Sequence, residues 1–163
     1  MRSEKIQIRP IARRDRDPIE RMLASDGHFH GEEVHVALEL VDLSISDPSG
    51  SGYESLVAEE AGGALGYICY GRTPMTAHTY DLYWIVVEKS AQGKGVGQRL
   101  HEAMVEMIQS RGGKIIRIET SSTELYGSAQ RFYERAGYTL TSRIPDFYKD
   151  GDDLLTFTRR SDR

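Results

Sequence analysis

The stretch Val86–Leu100, VVEKSAQGKGVGQRL, joins an apolar run to a helix-like pattern through Gly93, Gly95 and Gly97. A turn at such a junction leaves backbone N–H groups without partners at the helix start. The helix dipole places roughly half a positive charge there. Glycines let the backbone approach a bulky anion closely, and Lys94 adds a charge. The stretch therefore reads as an anion site, with phosphate as its natural occupant. Two phosphate motifs fail on spacing. A Walker loop needs Ser or Thr after Gly-Lys, where this chain has Gly95, and an early glycine where it has Glu88. A dinucleotide turn needs its third glycine where Gln98 stands. The local residues also fit a tight helix start that binds nothing.

Working outward, TYDLYWIVVE is an aromatic and β-branched run and reads as the strand entering the turn. After Gly97 the spacing of Leu100, Met104, Met107 and Ile108 becomes helical, and Gly112-Gly113 stops it. Upstream, YESLVAEE and ALGYICYGR read as a hairpin around AGGA. Downstream, KIIRIET is a strand and SAQRFYERAG a short helix. YTLTSRI and DLLTFTRR are strands flanking DFYKDGD, where Asp150-Gly151 signals a turn. Towards the N-terminus, KIQIRP is a first strand ended by Pro10. RDPIERMLAS is a helix with Asp17 as expected N-cap and Pro18 in its first position. EEVHVALELVDL is a second helix, and SISDPSGSG reads as loop. The order β-α-α-β-β-β-α-β-α-β-β predicts an α/β fold: a mixed, mostly antiparallel sheet with helices on both faces.

Composition bounds the class. The 163 residues suffice for one domain with a real core. Hydrophobic content of 39% and charged content of 28% read as globular. No apolar run reaches bilayer length, and the N-terminal residues lack the apolar stretch of a secretory signal, so no membrane partner is expected. The single Cys69 allows no internal disulfide, which fits a reducing, cytoplasmic setting. A net charge of −4 argues against a general nucleic-acid binder and is compatible with a cationic substrate.

QGKGVG resembles the Q/R-x-x-G-x-G/A signature of the GNAT acyltransferases, with Gln92, Gly95 and Gly97 at the signature positions. About 40 residues on, AQRFYERAGY resembles the A-x-x-F-Y-x-x-x-G-F/Y block of the same family, and DLYWIVV looks like its fourth strand. The resemblance covers roughly Tyr53 to the C-terminus and implies a GNAT-like fold over residues 1–163 as a single domain. It implies acetyl-CoA as acyl donor, with acetyl passing to a primary amine on a small molecule or peptide. Gln92, Gly93, Lys94, Gly95, Val96, Gly97 and Gln98 would hold the pyrophosphate. Ile85, Val86 and Val87 would form the segment facing the pantetheine arm, with Ile85 and Val87 offering backbone groups to it. The family's fourth and fifth strands splay apart, which makes room for the thioester.

The reaction needs a proton acceptor for the amine, a donor for the thioester oxygen and a donor for the leaving thiolate. By resemblance, Tyr133 serves the thiolate; by periodicity alone it reads as a core aromatic beside Phe132. Asp81 stands where some members carry a glutamate base, though a solvated strand-end charge fits equally. Tyr83 shares its face by the period of two and either lines the acceptor cleft, as a substrate-binding residue, or packs. Many members carry Asn three residues before the alanine of the second block; this chain has Tyr126. That contact to the cofactor arm is either missing or supplied by Ser121, Ser122 or Ser128.

HFHGEEVH gathers His28, His30, Glu32, Glu33 and His35, but the spacing is not H-E-x-x-H, and no metal is expected. By resemblance the segment roofs the acceptor site, with Phe29 and His30 at the substrate; Phe147 and Tyr148, between the last two strands, border the acceptor pocket or close an interface. Cys69 reads as a small core residue. No cysteine sits in either motif block, so direct transfer in a ternary complex is expected. A homodimer is implied because family members often pair. The alternative is a non-catalytic CoA-binding or regulatory module on the same fold.

Overall fold

The computed structural model describes residues 5–123 and 126–162. The strands are β1 (Gln7–Pro10), β2 (Tyr53–Glu60), β3 (Gly63–Arg72), β4 (Thr79–Val87), β5 (Ile115–Ser121), β6 (Thr139–Lys149) and β7 (Asp152–Arg160). The helices are α1 (Arg16–Ser25), α2 (Gly31–Ser46), α3 (Pro48–Ser51), α4 (Val96–Ser110) and α5 (Gly127–Arg135). One seven-stranded sheet runs in the order β1-β2-β3-β4-β5-β7-β6. Every pairing is antiparallel except β4 with β5.

The sheet carries a core on each face, because alternate residues of each strand point opposite ways. On one face α4 buries Leu100, Met104 and Ile108 against Ile68, Leu82 and Ile116, and α5 adds Tyr133. On the other, α1 and α2 bury Leu23, Ala37 and Val41 against Val57, Tyr67 and Cys69. Helices thus cover both faces, as the pattern predicts.

The parallel pairing is short. Only Thr79↔Ile115, Tyr80↔Ile116 and Asp81↔Arg117 are in register. Beyond Asp81 the strands part. β5 stays paired to β7 as far as Ser121, while β4 stays on β3 as far as Val87. A register shift between Cys69 and Tyr70, opposite Trp84 and Leu82, bends β4 at the point of separation. Family resemblance predicts such a splay, and the sheet contains it.

Three sequence expectations are corrected. Asp17 is not the N-cap of α1; the helix starts two residues earlier than expected, at Arg16 rather than Pro18, with Asp15 before it. Arg9 and the Ala12 N–H hold the Asp15 carboxylate, which sets that entry. The segment Ser44–Gly52, read as loop, holds the last turn of α2 as far as Ser46 and then α3, because Pro48 opens the turn and Asp47 accepts from the Gly50 N–H at 3.0 Å. Finally, β6 runs to Lys149, well past YTLTSRI, with a register irregularity after Ile144.

Candidate active site

The glycine turn sits at the N-terminus of α4, beside the mouth of the β4/β5 opening. Gly93 (φ 78°) and Gly95 (φ 79°) adopt left-handed backbone, which β-carbon-bearing residues occupy only with strain. Gly95 is the N-cap, so the first-turn N–H groups of Val96, Gly97 and Gln98 have no helical acceptor. Those N–H groups and the helix dipole point at whatever lies before the turn. Lys94 is exposed. At Gly97 a β-carbon would lie 3.6 Å from Phe132 and 3.7 Å from Val87, so α5 and β4 close around the same spot.

On β4, the Glu88 N–H bonds the Leu65 carbonyl at 2.8 Å. Antiparallel alternation then turns the backbone groups of Val87 and Ile85 away from β3, into the opening. The Gln92 side-chain amide donates to the Val87 carbonyl at 3.2 Å, tying the turn to the strand end. Val86 is buried on the α1/α2 face instead.

Tyr133 lies on the α4/α5 face, 8% exposed, among Phe132, Tyr138 and Phe157. Burial pushes its hydroxyl up to about 12, so the phenol keeps its proton at neutral pH. The core packing that periodicity predicts for it is present.

Asp81 points the other way, since Tyr80 and Leu82 on either side face the α4 core. Both its oxygens are engaged. Arg117 Nε donates to Oδ1 at 2.7 Å and Thr73 Oγ1 donates to Oδ2 at 2.8 Å. The Asp81 bond, above all, raises the Arg117 guanidinium further. The pair pins the strands together where they are about to separate.

Past that point lies a cavity of about 240 Å³ lined by Asp81, Leu82, Tyr83, Trp84, Arg117, Glu119 and Tyr148. Burial first, then Asp81, raises the Tyr83 hydroxyl well above its ordinary range. Phe29 of the α1–α2 loop stands edge-on to Trp84 at 5.9 Å. His30 is exposed, its N–H bonded to Glu33 at 3.2 Å at the start of α2. Tyr148 is half exposed at the rim. The histidines do not converge: His28 bonds Asp26 at 2.6 Å, and His35 faces Glu39 at 3.3 Å along α2. A larger cavity, of about 510 Å³ beside Gly137 and Arg159, lies at the far end of β5 and includes none of the expected site residues.

Sequence reading missed Thr73, Arg117, Glu119 and the role of Tyr126. The alternation in KIIRIET was a signal: Arg117 and Glu119 share the face opposite Ile116 and Ile118. Tyr126 offered none. Its hydroxyl donates to the His28 carbonyl at 3.1 Å, and its ring meets the His28 ring at 5.7 Å. It straps the α1–α2 loop to the start of α5. Ser121 and Ser122 are engaged elsewhere, with Asp152 and Asp153.

Comparison with known proteins agrees with this geometry. The acetyltransferase (GNAT) domain family matches residues 51–140. A GNAT-family protein from Desulfovibrio desulfuricans superposes with a TM-score of 0.93 at 36% identity, over 96% of this chain and 99% of that one. Two more distant structures share the fold. Ard1 from Thermoplasma volcanium has a TM-score of 0.76 at 19% identity, over 95% and 97% of the two chains. The yncA protein of Salmonella typhimurium, solved with its cofactor acetyl-CoA, has 0.75 at 19%, over 98% and 95%. Among curated proteins, N-alpha-acetyltransferase 30 of Schizosaccharomyces pombe is 27% identical over 73 residues, 45% of this chain and 47% of that relative, so the match spans about half of each. With a family match over more than half its length and a relative 36% identical across nearly all of it, the chain belongs to the GNAT acetyltransferases, a family of acyltransferase enzymes.

Proposed function

We propose that the chain, acting as one domain, transfers acetyl from acetyl-CoA to a primary amine, directly and in a ternary complex. The observation that carries the reading is the opening between β4 and β5. The cavity lies where β4 leaves β5, and the donor-rich N-terminus of α4 follows the free end of β4 in the chain, which supports a donor on one side and an acceptor on the other. The pyrophosphate would rest on the N–H groups from Gln92 to Gln98. The pantetheine amides would pair along the open edge at Ile85 and Val87, as an added strand does. The thioester would then lie in the gap, with Tyr133 donating a hydrogen bond to the leaving sulfur. The amine would enter past Phe29, Tyr83 and Tyr148.

Direct transfer has independent support. Cys69 is the single cysteine of the chain, is fully buried, and burial pushes its thiol up to about 12. A sealed, protonated thiol cannot carry an acyl group between two substrates. Among the described residues no helix is long and apolar enough to cross a membrane. The single buried thiol supports a cytoplasmic setting. β6 forms one edge of the sheet, which supports a homodimer; sedimentation would test it.

The test is release of CoA thiol from acetyl-CoA against a panel of amino acids, diamines, aminosugars and peptide N-termini. At least one class should accelerate release. Binding of acetyl-CoA without acceleration by any amine would contradict the enzyme reading and favour a CoA-binding module.

A further inference from the structure

We infer that Glu119 is the catalytic base that takes the proton from the acceptor amine. The inference rests on the acyltransferase reading above and adds the residue that reading leaves open. A base for this step must line the acceptor cavity, carry an oxygen not fully committed elsewhere, and pass its proton on to water. Asp81 meets only the first condition. Arg117 and Thr73 occupy its two oxygens, and its side chain is 12% exposed. Asp152 lies outside the cavity lining and is buried against the Ser121 hydroxyl. Glu88 is at the strand end, bonded to Ser90. The ring hydroxyl of Tyr83 holds its proton because burial disfavours the phenolate.

Glu119 meets all three conditions. Arg117 is the last residue of β5 in register with β4, and Glu119 is the next residue on that face. It is therefore the first side chain on this face of β5 beyond the point where the strands part. It lines the cavity with Tyr83 and Tyr148, and its side chain is 49% exposed. Its ion pair among the described residues is loose, with Arg117 Nη1 at 3.7 Å. That contact steadies the carboxylate without filling both oxygens.

The protons then balance. The ammonium gives one proton to Glu119, directly or through one water, and becomes the neutral nucleophile. The nitrogen lone pair forms the C–N bond at the thioester carbonyl, and the tetrahedral adduct collapses with loss of the C–S bond. The electron pair leaves on sulfur, which takes a proton and departs as the free thiol. The nitrogen's second proton, relayed through water, is the one that sulfur takes, and the half-exposed Glu119 returns its own proton to solvent, so turnover releases a net proton.

The experiment compares Glu119→Gln with wild type, using the amine that proves most active in the thiol-release panel. The expected result is a kcat about 10²-fold lower, an unchanged KM for acetyl-CoA, and loss of the acidic limb of the kcat/KM pH profile. The deficit should shrink for a weakly basic amine that is already neutral at the assay pH. Asp81→Asn should keep the acidic limb. Wild-type turnover matched by Glu119→Gln, or a limb abolished by Asp81→Asn and kept by Glu119→Gln, overturns the role of Glu119 alone. No turnover by wild type with any amine overturns the acyltransferase reading, and this inference with it.

Discussion

Tyr133 is buried among aromatic rings, and its phenol is held protonated. A neutral hydroxyl can stabilise a departing thiolate by hydrogen bonding and contributes little to holding the cofactor. Tyr133→Phe should therefore lower kcat about 10²-fold while the acetyl-CoA dissociation constant, read by calorimetry, moves by less than about threefold. A parallel loss of both would mean that the ring only packs. Asp81 is different: it ties β4 to β5. Asp81→Ala leaves Arg117 without its close partner, yet that guanidinium is 40% exposed and water replaces part of the bond. A loss of about 1–2 kcal/mol in urea unfolding is expected. No change in unfolding free energy would show that the strands separate at this point for other reasons.

Among the elements, the α4 turn is the most local feature and the most legible in sequence. The end of its strand, its glycines and the start of its helix lie within the fifteen consecutive residues Val86–Leu100, so composition and spacing expose it. Gly95→Ala should weaken acetyl-CoA binding and cost about 1–2 kcal/mol, because alanine at φ 79° is strained even where space is open. Normal affinity and unchanged stability would remove the turn from the cofactor site. The α1 start and the α3 turn were less legible. Asp17 looked like a cap, but the start is set by Asp15, which answers to Arg9 on β1. That is a tertiary contact, and no local pattern records it. The strap from Tyr126 to His28 spans 98 positions in sequence, and the Arg117–Asp81 bond spans 36. Only the pairing of strands brings such residues together.

Helix α4 also carries an acid-sensitive joint. His101 is buried and bonds the Tyr138 hydroxyl at 2.8 Å, linking α4 to the segment after α5. Burial first, then Arg159, lowers the imidazole to about 4. The folded protein thus binds fewer protons there than the unfolded chain, whose imidazole titrates near 6.5. Stability from this site is complete above pH 6.5 and falls as pH drops towards 4, by up to about 3 kcal/mol. Urea unfolding at pH 7 and pH 4.5 should show a steeper acid loss for wild type than for His101→Gln. Equal slopes would refute the linkage.

At the scale of the molecule, the fold follows from one irregularity in an otherwise regular sheet. Antiparallel pairings build β1 to β4 and β6 with β7, and among the described residues the single parallel pairing is abandoned beyond Asp81. Alternation and turn residues made the element order readable. The position of the opening was readable only through resemblance, because it depends on where pairing stops. The central claim is that acetyl crosses this opening from CoA to an amine without resting on the protein. Mass spectrometry of protein mixed with acetyl-CoA, before and after addition of an active amine, tests it most directly. One acetyl group is expected on the amine and none on the protein in either sample. Acetyl retained on the protein before the amine is added, and then passed to it, would contradict direct transfer.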